Sequence, residues 1–138
     1  MLPKKKKPLK TNINFIINMQ VYPFDVMVSI AQEDVQLGYS LNRFGPLPVE
    51  QIESARYTND NCTGRYVMFS TGASLIRMRK LPETPEDYGT LAHEITHIVV
   101  TVLDRVGMKL VIEASDEAYT YLTQFLTENI YKQINKYY

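Results

Sequence analysis

The sequence predicts an α+β fold, and three observations carry that prediction. Asn12 to Val21 alternates apolar and polar residues with period two, the pattern of a half-buried strand. Two more apolar runs flank Thr71-Gly72-Ala73 in the manner of a hairpin. From Thr84 onward the apolar residues switch to helical spacing, in two long segments. The expected architecture is a small, mostly antiparallel sheet from residues 12–30 and 65–80. It packs on a helix over 85–106, with a C-terminal helix over 116–135 beside it.

A length of 138 residues suits one domain over 12–138 behind a basic tail over 1–11. A hydrophobic fraction of 45% with 11% aromatics supplies a core and excludes wholesale disorder. No apolar run approaches the ~20 residues of a bilayer span. The charged start MLPKKKKPLK is followed by no apolar stretch ending in a cleavage site, so no signal peptide is expected. Cys62 is the only cysteine, which excludes an internal disulfide framework and suits a reducing, cytoplasmic compartment.

Each element has its own signal. In the first strand Ile13, Phe15, Ile17, Met19 and Val21 share a face, opposite Asn12, Asn14, Asn18 and Gln20. Pro23 interrupts the ladder, and Phe24 to Ile30 reads as a second extended piece. Gln32 to Phe44 has a helical pattern weakened by Gly38. Gly45 to Pro48 then connects to a short helix ending near Ser54, and Arg56 to Gly64 is a polar loop. Arg65 to Ser70 and Ser74 to Lys80 are the hairpin strands. Arg77, Arg79 and Lys80 mark the second as a protected edge strand. Thr84-Pro85-Glu86-Asp87 starts the first long helix with a cap, a proline at the first position and acids in the first turn, and Gly107 ends it. Its apolar stripe is Leu91, Ile95, Ile98, Val99, Val102 and Val106. Ser115 caps the last helix, whose stripe is Ala118, Leu122, Phe125, Leu126, Ile130 and Ile134.

The net charge of zero is unevenly spread. Lys4, Lys5, Lys6, Lys7 and Lys10 give residues 1–11 a charge of +5, which leaves ten basic against fifteen acidic residues, or −5, on the rest. Such a run buries nothing and reads as a solvated tail. Its functional alternative is a weak electrostatic contact with nucleic acid or an acidic partner. The absence of interleaved aromatics disfavours a nucleic-acid role.

Chemistry concentrates in His93-Glu94-Ile95-Thr96-His97, an H-E-x-x-H inside the first long helix. Residues four apart on a helix stand one above the other, ~5–6 Å between Cβ atoms, so both imidazoles reach one Zn²⁺. Glu94, about 100° around the helix, stands beside the metal as a proton acceptor. These are the only two histidines in the chain, and both lie off the apolar stripe. A catalytic zinc keeps three protein ligands and one open position. Candidates for the third are Asp104, Glu113, Asp116, Glu117 and Glu128. Asp104 is two turns beyond His97, too far along the axis at ~1.5 Å per residue. Glu113 sits in the link, where its direction is unspecified. Asp116 and Glu117 open the next helix, which a short connection brings back antiparallel.

HEITH, followed twenty positions after His97 by Glu117 in a D-E-A-Y context, resembles the gluzincin group of zinc metallopeptidases, the thermolysin-like enzymes, over residues 84–126. That resemblance implies a minimal zincin-like domain in which His93, His97 and Glu117 bind Zn²⁺ and Glu94 is the general base. A peptide or protein is then the substrate. Tyr121 stands where the thermolysin-like pattern often has an aspartate as partner to a histidine. The rest of the chain is more distantly similar to small metallopeptidase-like proteins of tailed bacteriophages, which implies a place in a host cell or a virion.

On this reading Glu94 takes a proton as water attacks a carbonyl and passes it to the leaving amine. With no third histidine, a tyrosine is the expected oxyanion donor, from Tyr88, Tyr119 or Tyr121. The strand Ser74–Lys80 would hold an extended peptide by strand addition, its arginines favouring acidic residues. The competing reading is a zinc-stabilised binding or virion module without catalysis. Glu94, which a structural site does not need, favours the enzyme.

Overall fold

The structure is a computed structural model that describes residues 2–3, 10–57, 59 and 61–138. Lys4 to Lys7 of the expected tail lie outside that range, whereas Lys10 lies within it and meets Glu83 at 3.6 Å. β1 (Ile13–Asn18) and β2 (Asp25–Ile30) pair antiparallel, as do β3 (Gly64–Met68) and β4 (Ser74–Met78). β2 and β4 run parallel, giving one four-stranded mixed sheet in the order β1-β2-β4-β3. α1 (Asp34–Leu41) and α2 (Val49–Ser54) lie between β2 and β3, while α3 (Pro85–Arg105) and α4 (Asp116–Ile134) follow β4. The α+β class holds. No described helix is long and apolar enough to cross a membrane.

Both faces of the sheet are covered, which is why β2 and β4 are almost wholly buried. Val26, Val28, Ile30, Ile76 and Met78 form one core with the stripes of α3 and α4. Met27, Val67, Phe69 and Leu75 form the second with Leu37 and Leu41 of α1 and with Ala55. α3 packs against β3, β4 and α4, and α4 reaches β1, so the two helices divide the sheet between them. The site therefore sits on the β3 half.

Four expectations are corrected. β1 stops at Asn18, because Asn18 Oδ1 accepts the Gln20 N–H at 2.8 Å and Gln20 takes a φ of +55°, which turns the chain and leaves Val21 exposed. Val106 is also exposed, being the residue that caps α3 rather than part of its stripe. Ser115 gives α4 no side-chain cap, since its Oγ accepts the Val111 N–H at 2.8 Å instead. The fourth correction concerns β4, which is an inner strand. Arg77 is 2% exposed, held by Asp34 Oδ1 at 2.7 Å and by the carbonyls of Ala55 and Gln32 at 3.0 and 2.9 Å. Arg79 and Lys80 lie beyond the strand's end. The edges of the sheet are β1 and β3, so no peptide adds to β4.

The ends of α3 follow the sequence signals closely. Thr84 Oγ1 accepts the Asp87 N–H at 3.2 Å, and Asp87 Oδ2 accepts the N–H groups of Glu83 and Thr84 at 3.0 and 3.1 Å. Such reciprocal capping contributes about 1 kcal/mol. Gly107, at a φ of +81°, closes the C-terminus in a conformation that a side chain resists. Leu91, Ile95, Ile98 and Val102 are buried, and each such side chain is worth ~1.5–3 kcal/mol. That sum fixes the rotation of α3. His93, Glu94 and His97 are thereby left on the flank beside β3.

Candidate metal centre

His93, Glu94 and His97 come together as their spacing requires. One possible ligand atom from each lies within 4.8 Å of the others, and the two Nε2 atoms are 3.1 Å apart. Two imidazole nitrogens bound to zinc at ~2.0–2.1 Å in a tetrahedron stand about 3.3 Å apart, so the pair fits one ion with little adjustment. In the absence of an ion, the same nitrogens can share a proton as donor and acceptor. Both imidazoles are exposed, while Glu94 is 7% exposed.

β3 builds the wall beside them. The Tyr66 ring stacks on His97 with centroids 5.1 Å apart and planes 10° from parallel. Its hydroxyl donates to Thr101 Oγ1 at 3.0 Å, and Thr101 in turn donates to the His97 carbonyl. Tyr66 thus holds the His97 ring from β3 while anchored to the next turn of α3. Gly64, at the start of β3, lets the strand approach the helix. A Cβ there would stand 2.7 Å from Thr90 Cγ2 and 3.3 Å from Glu94 Cγ. A shallow cleft of about 380 Å³ opens at this contact, lined by Thr63, Gly64, Gly89, Thr90, His93 and Glu94.

Electrostatics single out Glu94. Burial raises its carboxyl above the usual carboxylate range, and the neighbouring charges of His93, His97 and Arg65 oppose that rise only in part. A carboxyl so raised is a stronger proton acceptor than an exposed one.

The other residues named from sequence stand elsewhere. Glu117 is exposed in the first turn of α4 and does not belong to the His93, Glu94, His97 group; neither do Asp104, Glu113, Asp116 and Glu128. The reason lies in the layout of the sheet. α4 extends toward β1, whereas the histidines face β3 at the opposite edge. None of the three candidate tyrosines is beside the histidines. Tyr88 stacks on Tyr131 and meets Tyr138 hydroxyl to hydroxyl at 3.1 Å. Tyr119 donates to the Met108 carbonyl at 2.6 Å, and Tyr121 borders a groove with Met19 and Tyr22. Tyr66, Gly64 and Thr101 were not anticipated. Only the pairing of β3 with the flank of α3 reveals them, and no local pattern encodes that pairing. No protein-family model, curated protein or solved structure matches the chain.

Proposed function

We propose that this chain is a zinc-dependent peptidase, with His93 and His97 holding the metal and Glu94 as the general base. The observation that carries this reading is the convergence of two Nε2 atoms 3.1 Å apart with a buried carboxylate beside them. Zinc, when bound, acidifies a water and polarises a carbonyl. Glu94 takes the proton as the water oxygen adds to the carbonyl carbon. It returns that proton to the amine nitrogen as the carbon–nitrogen bond breaks. Tyr66 and Thr101 keep His97 in place through the stack and the hydroxyl relay. An extended peptide would pair along β3, which has no strand on its outer side among the described residues.

The spacing after His97 proposes Glu117 as the third ligand, and because Glu117 stands exposed and outside the histidine group here, that proposal is separable from the rest. Zinc analysis of the purified chain and of two variants tests it. His97→Ala should lose the ion, and retention of zinc by that variant would overturn the site. Glu117→Ala decides the third ligand alone. The openness of the site supports a second reading, a zinc-stabilised binding module, because both histidines are exposed and the adjoining cleft is shallow.

A further inference from the structure

A cleft of about 830 Å³, larger than the one beside the histidines, lies elsewhere in the molecule. It opens at the carboxyl ends of β2 and β4, the parallel pair, where ligands of open α/β sheets commonly bind. Ala31, Gln32 and Asp34 line one side, with Tyr57, Arg77 and Arg79 on the other. Ala31 turns the chain out of β2 with a φ of +53°.

Three buried polar groups gather around Arg77 without a hydrogen-bond partner among the described residues: Arg77 Nε itself, the Tyr57 hydroxyl and Ser29 Oγ. Ser29 is the register partner of Arg77 across the parallel pair, so both side chains leave the same face of the sheet. The Arg77 and Arg79 guanidiniums lie 4.3 and 4.0 Å from the centre of the Tyr57 ring. Burial pushes the Tyr57 hydroxyl up to about 12, so it remains a protonated donor at neutral pH. Buried polar groups in folded proteins nearly always have partners, and each orphan requires an explanation. Here two of the orphans, the guanidinium N–H and the phenol, can donate, and both belong to residues that line the cleft. Asp34 does not supply it. Its carboxylate is engaged by Arg77 Nη1 at 2.7 Å and approached by Arg56 at 3.8 Å. Glu33 lines the cleft as well, at the N-cap of α1.

We infer that this cleft binds a small oxyanion, the carboxylate or phosphate group of a ligand, through Arg77 Nε, the Tyr57 hydroxyl and the Arg79 guanidinium, whose Nε and Nη2 also hold the carbonyls of Cys62 and Asn59. The site is separate from the metal centre, and its test needs no metal. Inorganic phosphate and succinate are titrated into the metal-free chain, with sodium chloride at matched ionic strength as baseline. Amide shifts over residues 31–34 and at Tyr57 report binding, and the preferred probe assigns phosphate or carboxylate. Arg79→Ala and Tyr57→Phe each remove a donor without emptying the core. Each should weaken binding about tenfold or more, the scale of a lost hydrogen bond to a charged group. Arg79→Lys should recover part of the loss, because it restores the charge without the planar fork. Arg105→Ala, outside the cleft, should bind as the parent does. If neither probe shifts these amides beyond chloride, or if Tyr57→Phe and Arg79→Ala bind as well as the parent, water alone fills the orphaned positions and the inference is wrong.

Discussion

Two ionisable side chains are buried on opposite sides of the sheet, and the fold treats them differently. Arg77, 2% exposed, is met by a carboxylate and by two backbone carbonyls, leaving only Nε unmatched. Glu94, 7% exposed, has no hydrogen bond holding its charge among the described residues; the charges acting on it are those of two imidazoles and Arg65. The Arg77 arrangement ties β4 to α1 and to the segment after α2, which is structural work. At Glu94 the protein tolerates a desolvated acid that nothing in the packing requires. An acid whose charge is only partly compensated, beside two possible metal ligands, supports the proposal of a site kept for chemistry.

That contrast can be broken most severely at Asp34. Asp34→Ala strips Arg77 of its counter-charge and leaves a buried cation with carbonyl partners only. Asp34 is itself half exposed, so the loss should fall below that of a fully buried pair, at ~2–3 kcal/mol by chemical denaturation. No loss would show that the carbonyls suffice. Gly64→Ala tests the other side, since its Cβ must displace Thr90 Cγ2 from 2.7 Å. A cost of ~1–3 kcal/mol is expected, reduced when Thr90→Ser is added. Additive losses in the double variant would refute that contact.

Proton linkage sharpens the contrast by its sign. Asp87 is held below its ordinary value by the N–H groups of Glu83 and Thr84 and by Lys80. The unfolded chain therefore takes up that proton first. Stability from this cap is complete above pH ~4 and is lost as pH falls through the lower, folded value. Asp87→Asn should flatten that part of the acid-denaturation curve. Glu94 behaves oppositely. In the metal-free protein its carboxyl is raised, so the folded chain holds the proton longer and stability falls as pH rises through that window. Glu94→Gln without metal should thus be at least as stable as the parent at neutral pH, as a thermal melt will show. The smallest effect is expected from deleting residues 1–10. Lys10 and Glu83 form an exposed pair at 3.6 Å, worth under ~1 kcal/mol.

What the sequence made legible was local. The Thr84 cap, the Gly107 stop and the stripe of α4 could each be read within one or two turns, because the physics of a helix end or face is contained in neighbouring residues. H-E-x-x-H was legible for the same reason, its geometry being set by the helix alone. Arg77 shows the limit. Its charge suggested an edge strand until the partner on α1 became visible, and that partner depends on a parallel β2–β4 pairing that no short pattern specifies. Tyr66 and Gly64 were missed on the same grounds, since their roles arise only where β3 meets α3. The third ligand divides the two kinds of reasoning. Spacing selects Glu117, whereas the division of the sheet between α3 and α4 separates it from the histidines.

Whether Glu94 is a catalytic base at a zinc centre is decided by one paired measurement. Zinc content and hydrolysis of a broad library of unstructured peptides are measured for the parent and for Glu94→Gln, a substitution that preserves shape and removes basicity. Zinc is expected in both proteins, with turnover in the variant lower by ~10²-fold or more, the usual scale of general-base catalysis. Hydrolysis undiminished in the variant, or a zinc-loaded parent inert to every peptide, would contradict it and leave the zinc-stabilised binding module as the reading of this site.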